Sequence, residues 1–237
     1  MLFRSNAFCS LSIGFERSLK LILLFDFALK NAGNMPAIKS IRTFGHDIEA
    51  LLTTVDSISN LYIEDSSFSF SIIHRNIFKV LNTFSTNSNR YFNFDFATNE
   101  ATPTSVDPIR DYYDKVTLEV AKIHYKQFQR DKDNLKSVVI ESILGNYSTL
   151  LHHSESGKPL SSLGDASKNA SLVDKTKPWA RMYILQIARY IASIISGIET
   201  QTYQKHIETI PLASEIFSVF RQSDDCFRRK KNWTIYY

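Results

Sequence analysis

A chain of 237 residues with 43% apolar and 22% charged side chains has the composition of an ordinary globular protein and can bury a substantial core. Its net charge of +4 excludes a surface that binds nucleic acid by charge alone, because the tail from Arg221 to Tyr237, with five basic and two acidic residues, carries +3 of it. Seven Gly and six Pro are few for a many-turned β architecture, and the long periodic segments between them predict an all-α fold.

The first predicted helix runs from Phe15 to Lys30, with Phe15, Leu19, Ile22, Leu23 and Phe27 at helical spacing. Gly33 is placed to take a left-handed cap, and Pro36 follows. Residues 1–14 extend this helix or form a short one. Glu16, Arg17, Lys20 and Asp26 interrupt the apolar run, so it does not read as a signal peptide. A second helix is expected from about Phe44 to Ser59 and a third from about Ser66 to Phe84. Residues 85–107 form a long connection in which Phe92, Phe94 and Phe96 alternate and would share one face of an extended segment.

Asp107-Pro108 marks a strong helix start, with a capping acceptor followed by Pro at the first helical position. That helix is expected to reach Arg130, and a fifth spans Leu135 to Leu150. Residues 154–177 are rich in Ser, Gly, Asp and Lys and read as a flexible linker. Pro178 then opens a long central helix to about His206. Arg181 and Arg189 inside it argue against a membrane span. Pro211 starts a last helix through Phe220 towards Arg229. The expected organisation is a helical bundle over 1–150, a linker over 151–177, and a C-terminal helical extension over 178–237 packing back on the bundle.

Cys9 and Cys226 lie near opposite ends and form neither a metal spacing nor a disulfide framework, which points to a reducing, cytoplasmic compartment. His152, His153 and Glu155 border the linker and lack further ligands at metal spacing, so no metal is expected. His74 and His124 have no acidic or cysteine neighbours and read as surface or satisfied core residues. There is no Gly-rich phosphate loop, nucleophile elbow, His-Glu-x-x-His or paired glycosidase carboxylates, and no cofactor is expected.

One stretch carries more information. A helix ending in Ala28-Leu29-Lys30 is followed by Gly45-His46-Asp47-Ile48-Glu49-Ala50-Leu51-Leu52, and later by Asn89-Arg90-Tyr91. Over residues 15–130 this order resembles the HEPN superfamily of small all-α bundles. In that family an apolar first helix with a Lys near its end precedes a His-Asp/Asn-Leu start to the second helix and an Arg-Tyr-Pro turn. Here Phe92 stands in place of the Pro. The resemblance implies an RNA- or nucleotide-associated accessory module of toxin–antitoxin or phage-defence type. It also implies a homodimer, or a partner protein of nucleotidyltransferase or antitoxin kind.

The ribonucleases of the family use an Arg and a His separated by four to six residues, which stabilise the scissile phosphate and move protons during attack by the ribose 2′-hydroxyl. Arg42 and His46 are separated by only three. They are the catalytic candidates of a divergent, metal-independent endoribonuclease, the competing reading to a module without a competent site. At i and i+4 they would still share a face if both were helical. The bland reading makes Asp47 a dipole-favoured residue at a helix start and has His46 hydrogen-bond a neighbouring backbone. Arg90 and the tail cations Arg228, Arg229, Lys230 and Lys231, interleaved with Trp233, Tyr236 and Tyr237, are the RNA or nucleotide contacts to test. Tyr91, like Asp47, is assigned a structural role. A third reading is a non-enzymatic interaction module, whose exposed apolar patch is expected along the last two helices.

Overall fold

The computed structural model describes residues 2–63, 68–86 and 107–230. Among them the fold is all-α. Helix α1 (Leu2–Lys30) is followed by the single-turn α2 (Ile38–Arg42), α3 (Ile48–Ser59) and α4 (Ile72–Thr86). Pro108–Tyr112, a π-helical turn at Tyr113–Thr117, and Leu118–His124 run on as one helix, α5. Then come α6 (Gln127–Leu144), the long α7 (Leu163–Gln204), α8 (Ser214–Phe217) and α9 (Asp224–Arg229).

The ends of these helices have local causes. Gly33 takes φ +89° after α1, and its N–H donates to the Ala28 carbonyl at 2.8 Å, the left-handed cap that the sequence suggested. Asp107 accepts from the Ile109 N–H at 2.9 Å, with Pro108 at the first helical position. Tyr125 leaves helical geometry (φ −94°, ψ 89°) and separates α5 from α6, so the expected single helix to Arg130 is two.

The largest departure from the sequence reading lies at residues 163–177. They are the first turns of α7, a helix of 42 residues that passes through Pro178. The Ser162 hydroxyl accepts from the Asp165 N–H at 3.0 Å, a side-chain cap that opens the helix well before the proline. The last expected helix is instead α8, a 3₁₀ turn at Ser218–Phe220, and α9.

A single hydrophobic core joins α1, α3, α4, α5 and the second half of α7. Leu19, Ile22, Ile48, Ile77, Val120 and Ile194 are fully buried in it. Core residues stop at Val120 and resume at Trp179. The intervening pair, α6 with the first half of α7, forms a helical arm outside that core. No described helix is long and apolar enough to cross a membrane. Arg181 and Arg189, which break the apolar run of α7, hold the end of the chain. Arg181 donates to the Phe227 and Arg228 carbonyls at 2.9 and 2.6 Å, and Arg189 pairs with Asp224 at 2.7 Å.

Candidate functional site

The turn between α2 and α3 carries Arg42, His46 and Asp47. Gly45 adopts φ +64° there, a conformation that suits a residue without a Cβ. Asp47 is the N-cap of α3: its carboxylate accepts from the Ala50 N–H at 3.0 Å. Asn82 of α4 completes the cap by accepting from the Ile48 N–H at 2.8 Å. Asp47 thus serves the first turn of α3. The helix begins four residues later than expected, because Asp47 meets the orphan N–H groups that a start at Phe44 would have left unserved.

His46 is exposed, and its Nδ1 lies 2.9 Å from Glu16 Oε1 of α1. Lys20 donates to the same oxygen at 2.8 Å. Burial pushes the Glu16 carboxyl up, but the hydrogen bonds from Lys20 and His46 outweigh it and hold the group below its ordinary value. Glu16 is thus a charged clamp that fixes the imidazole orientation from below, 30 residues away in sequence. Arg42 ends α2, and a turn separates it from His46, so the two do not share a helical face as i, i+4 spacing suggested. The Arg42 side chain is exposed and has no hydrogen bond or ion pair among the described residues.

Among the described tail cations, Arg228 and Arg229 are held by an acidic neighbour. Arg228 and Arg229 both pair with Asp225, at 2.6 and 3.0 Å. The Arg228 guanidinium also sits 4.9 Å from the centre of the Trp179 ring, which stacks on His124 at 3.8 Å. These contacts dock α9 on α7 and α5. Arg90, Tyr91 and Lys231, with Phe92, Phe94 and Phe96, lie outside the described residues.

A different pair of cations is open. Arg75 and Lys79 lie one turn apart on α4 and line a groove of about 580 Å³ between α3 and α4. Both are exposed, and neither has a hydrogen bond or ion pair among the described residues. The groove is also lined by Phe68, Phe70 and Phe78, and by Tyr190 from α7. Phe68 stacks on Tyr190 at 5.2 Å, and Phe70 meets the same ring edge-on at 5.3 Å. Glu49 and Asp56 of α3 contribute carboxylates to the lining. The Tyr190 hydroxyl donates to Asp56 at 2.6 Å; burial, then this bond, push its pKa up, so the phenol stays protonated. Sequence reasoning missed this pair. The available signal was two cations at i and i+4, with Phe78 between them, on an amphipathic helix.

A second groove, of about 430 Å³, lies between α5, α6 and α7 and includes Lys122, Arg130 and Lys168. Its charges are largely engaged: Arg130 donates to the Tyr125 and Ala121 carbonyls, and Lys122 pairs with Glu119.

Deeper in the bundle is a polar relay. His74 is buried; its Nδ1 accepts from the Ser71 N–H at 3.0 Å, which puts the ring proton on Nε2, 2.9 Å from Gln186 Oε1. Gln186 donates in turn to Asp224 at 3.0 Å. The relay ties α4, α7 and α9 together, and His74 is the satisfied core histidine expected as one of two readings. Among the described residues no group of His, Cys, Asp and Glu could hold a metal ion. No protein-family model, curated protein or solved structure matches the chain.

Proposed function

We propose that this chain is a HEPN-like accessory module that binds a nucleotide, free or within RNA, in the groove between α3 and α4, and that it does not cleave RNA. The observation that supports the reading is the pair Arg75 and Lys79, open to solvent beside an aromatic lining and in the same groove as two carboxylates. Guanidinium and ammonium groups serve a phosphate. The exposed parts of the Phe68 and Phe70 rings offer stacking area to a base. Asp56 and Glu49 accept hydrogen bonds from ribose hydroxyls or an exocyclic amine. The groove size suits a ligand of this class.

Binding of a fluorescent single-stranded RNA and of nucleoside monophosphates tests it. The Arg75→Ala/Lys79→Ala double variant should bind at least tenfold more weakly. Removing two phosphate contacts should also lower the salt slope of RNA binding by about 1.4. Equal affinity and slope in parent and variant would remove the groove from the proposal.

The competing reading, a divergent endoribonuclease, is favoured by one observation. Glu16 holds His46 through Nδ1, and Nε2 of the exposed ring has no partner among the described residues. That is how a carboxylate prepares an imidazole for proton transfer. Under our proposal purified protein in EDTA leaves RNA intact. Cleavage that disappears in both His46→Ala and Arg42→Ala variants of matched folding would replace the accessory module with the nuclease.

A further inference from the structure

Helix α6 is oriented against its own amphipathic pattern. Its polar side faces the first half of α7: Asp133 and Ser137 are buried, and the Glu141 carboxylate accepts from the Gly164 N–H at 2.8 Å. The approach is close enough that a Cβ on Gly164 would lie 3.0 Å from the Ser137 carbonyl oxygen. The apolar side faces out. Phe128, Leu135, Val138, Val139 and Ile143 are exposed by 66, 67, 63, 48 and 60%. At 100° per residue they fall within one half of the helix circumference. Tyr147 and Leu151, 89 and 86% exposed, follow directly after α6. A monomer seldom leaves so many large apolar side chains uncovered along one strip.

We infer that this face is covered by the same face of a second copy of the chain, the two α6 helices running antiparallel about a two-fold axis near Val139. The middle of the strip is symmetric about that residue, since Leu135 and Ile143 lie four positions to either side. An antiparallel pair sets Val139 against Val139 of the partner subunit, and Leu135 against Ile143 of the partner subunit.

Charge selects the same arrangement. The outward half of α6 carries Asp131, Lys132 and Lys136, all on the N-terminal side of Val138. In the antiparallel pair Lys136 faces Ser142 of the partner subunit, and Lys132 lies past the C-terminal end of the other α6, away from its lysines. A parallel pair would set lysine against lysine. With two lysines and one aspartate the face has a net charge of +1, which gives a strongly acidic or basic foreign partner little to read. The 18 residues of α6 span about 27 Å at 1.5 Å per residue. A strip of that length belongs to the small class of specific interfaces, under about 1,200 Å² in total. An interface of that size fits a dimer that exchanges with monomer, at an affinity the area alone does not set. This inference is independent of the nucleotide reading.

Single-cysteine cross-linking on the full-length chain, with Cys9 and Cys226 replaced by Ser, tests both the occupant and the register. A disulfide needs Cα atoms within about 7 Å. Val139→Cys should therefore cross-link with itself on mild oxidation. Leu135→Cys and Ile143→Cys should cross-link with each other when mixed, and much less alone. Sedimentation velocity of the parent should show a concentration-dependent dimer. Val139→Glu should weaken it at least tenfold with unchanged helical circular dichroism, because the residue is half exposed and outside the core. A parent that stays monomeric to about 200 μM would overturn the inference. So would a dimer indifferent to Val139→Glu, or self-cross-linking of Lys136→Cys in preference to Val139→Cys.

Discussion

His74 shows how much one buried side chain can impose. Burial lowers its pKa, and the hydrogen bond to Gln186 and the field of Asp224 only partly offset that. The folded state therefore holds the ring neutral below the ordinary value of 6.5, where the unfolded chain already binds the proton. The unfolded state binds more protons in that window, so stability falls as pH drops from about 6.5 towards the folded value, by at most about 1.4 kcal/mol per pH unit. Glu16 is shifted in the same direction but acts lower. Its carboxylate contributes stability that is lost only as pH falls through its depressed value, outside this window. Urea unfolding between pH 7.5 and 5.5 should show a stability slope in the parent that flattens in His74→Gln. The same slope in both would mean that His74 is not the group responsible. The position of Asp47 at a helix start was legible in the sequence, because capping chemistry is local, whereas His46, expected to bond a neighbouring backbone, bonds the Glu16 side chain instead. The Glu16–His46 bond and the Tyr190–Asp56 bond were not legible. They join residues 30 and 134 positions apart, and no periodicity links such positions.

At the scale of the helices, α1, α3 and α4 were legible from apolar spacing; the start of α3 moved to the Asp47 cap, and α4 begins at Ile72 rather than about Ser66. The first half of α7 was not legible. Its composition is that of a solvated linker, and its helix is started by Ser162 and supported by the polar side of α6 rather than by apolar burial. Pro178 was read as a helix start because proline suits a first turn, yet a long helix passes through it. The second half of α7 packs so closely on the turn after α3 that Gly197 has no room for a side chain. A Cβ there would lie 2.1 Å from the Tyr62 carbonyl oxygen, and Gln201 donates to the adjacent Leu61 carbonyl at 2.6 Å. Alanine in a helix is normally favoured over glycine by about 1 kcal/mol. Here a fixed backbone atom opposes it, and Gly197→Ala should destabilise by about 1–3 kcal/mol, the usual range for overpacking. Chemical denaturation measures the sign, and a stabilised variant would show that the Tyr62 turn moves aside at little cost.

For the molecule as a whole, the division is between a core and an arm. The core contains α1 and the stretch of α7 from Ile187 to Ile198, where Ile187, Ile191, Ile194, Ile195 and Ile198 are buried almost completely. The arm, α6 with residues 163–177, is held by buried polar contacts such as Tyr125–Asp133 and Glu141–Gly164 and adds nothing to the core. Opening the arm exposes little apolar surface that is not already exposed, so its opening free energy must lie below that of global unfolding. Hydrogen exchange at dilute concentration should therefore protect amides of α6 less than those of α1 and 187–198. If two copies pair through α6, raising the concentration stabilises the closed arm by mass action and slows exchange there. The core amides, whose exchange already requires broader unfolding, should gain protection only in step with global stability. A steep concentration dependence confined to α6 would connect the unused apolar face to the weak arm, because the second copy would supply the burial that the monomer's own fold withholds. Exchange in α6 as slow as in α1 at the lowest concentration would instead show that the polar contacts with α7 suffice to fasten the arm.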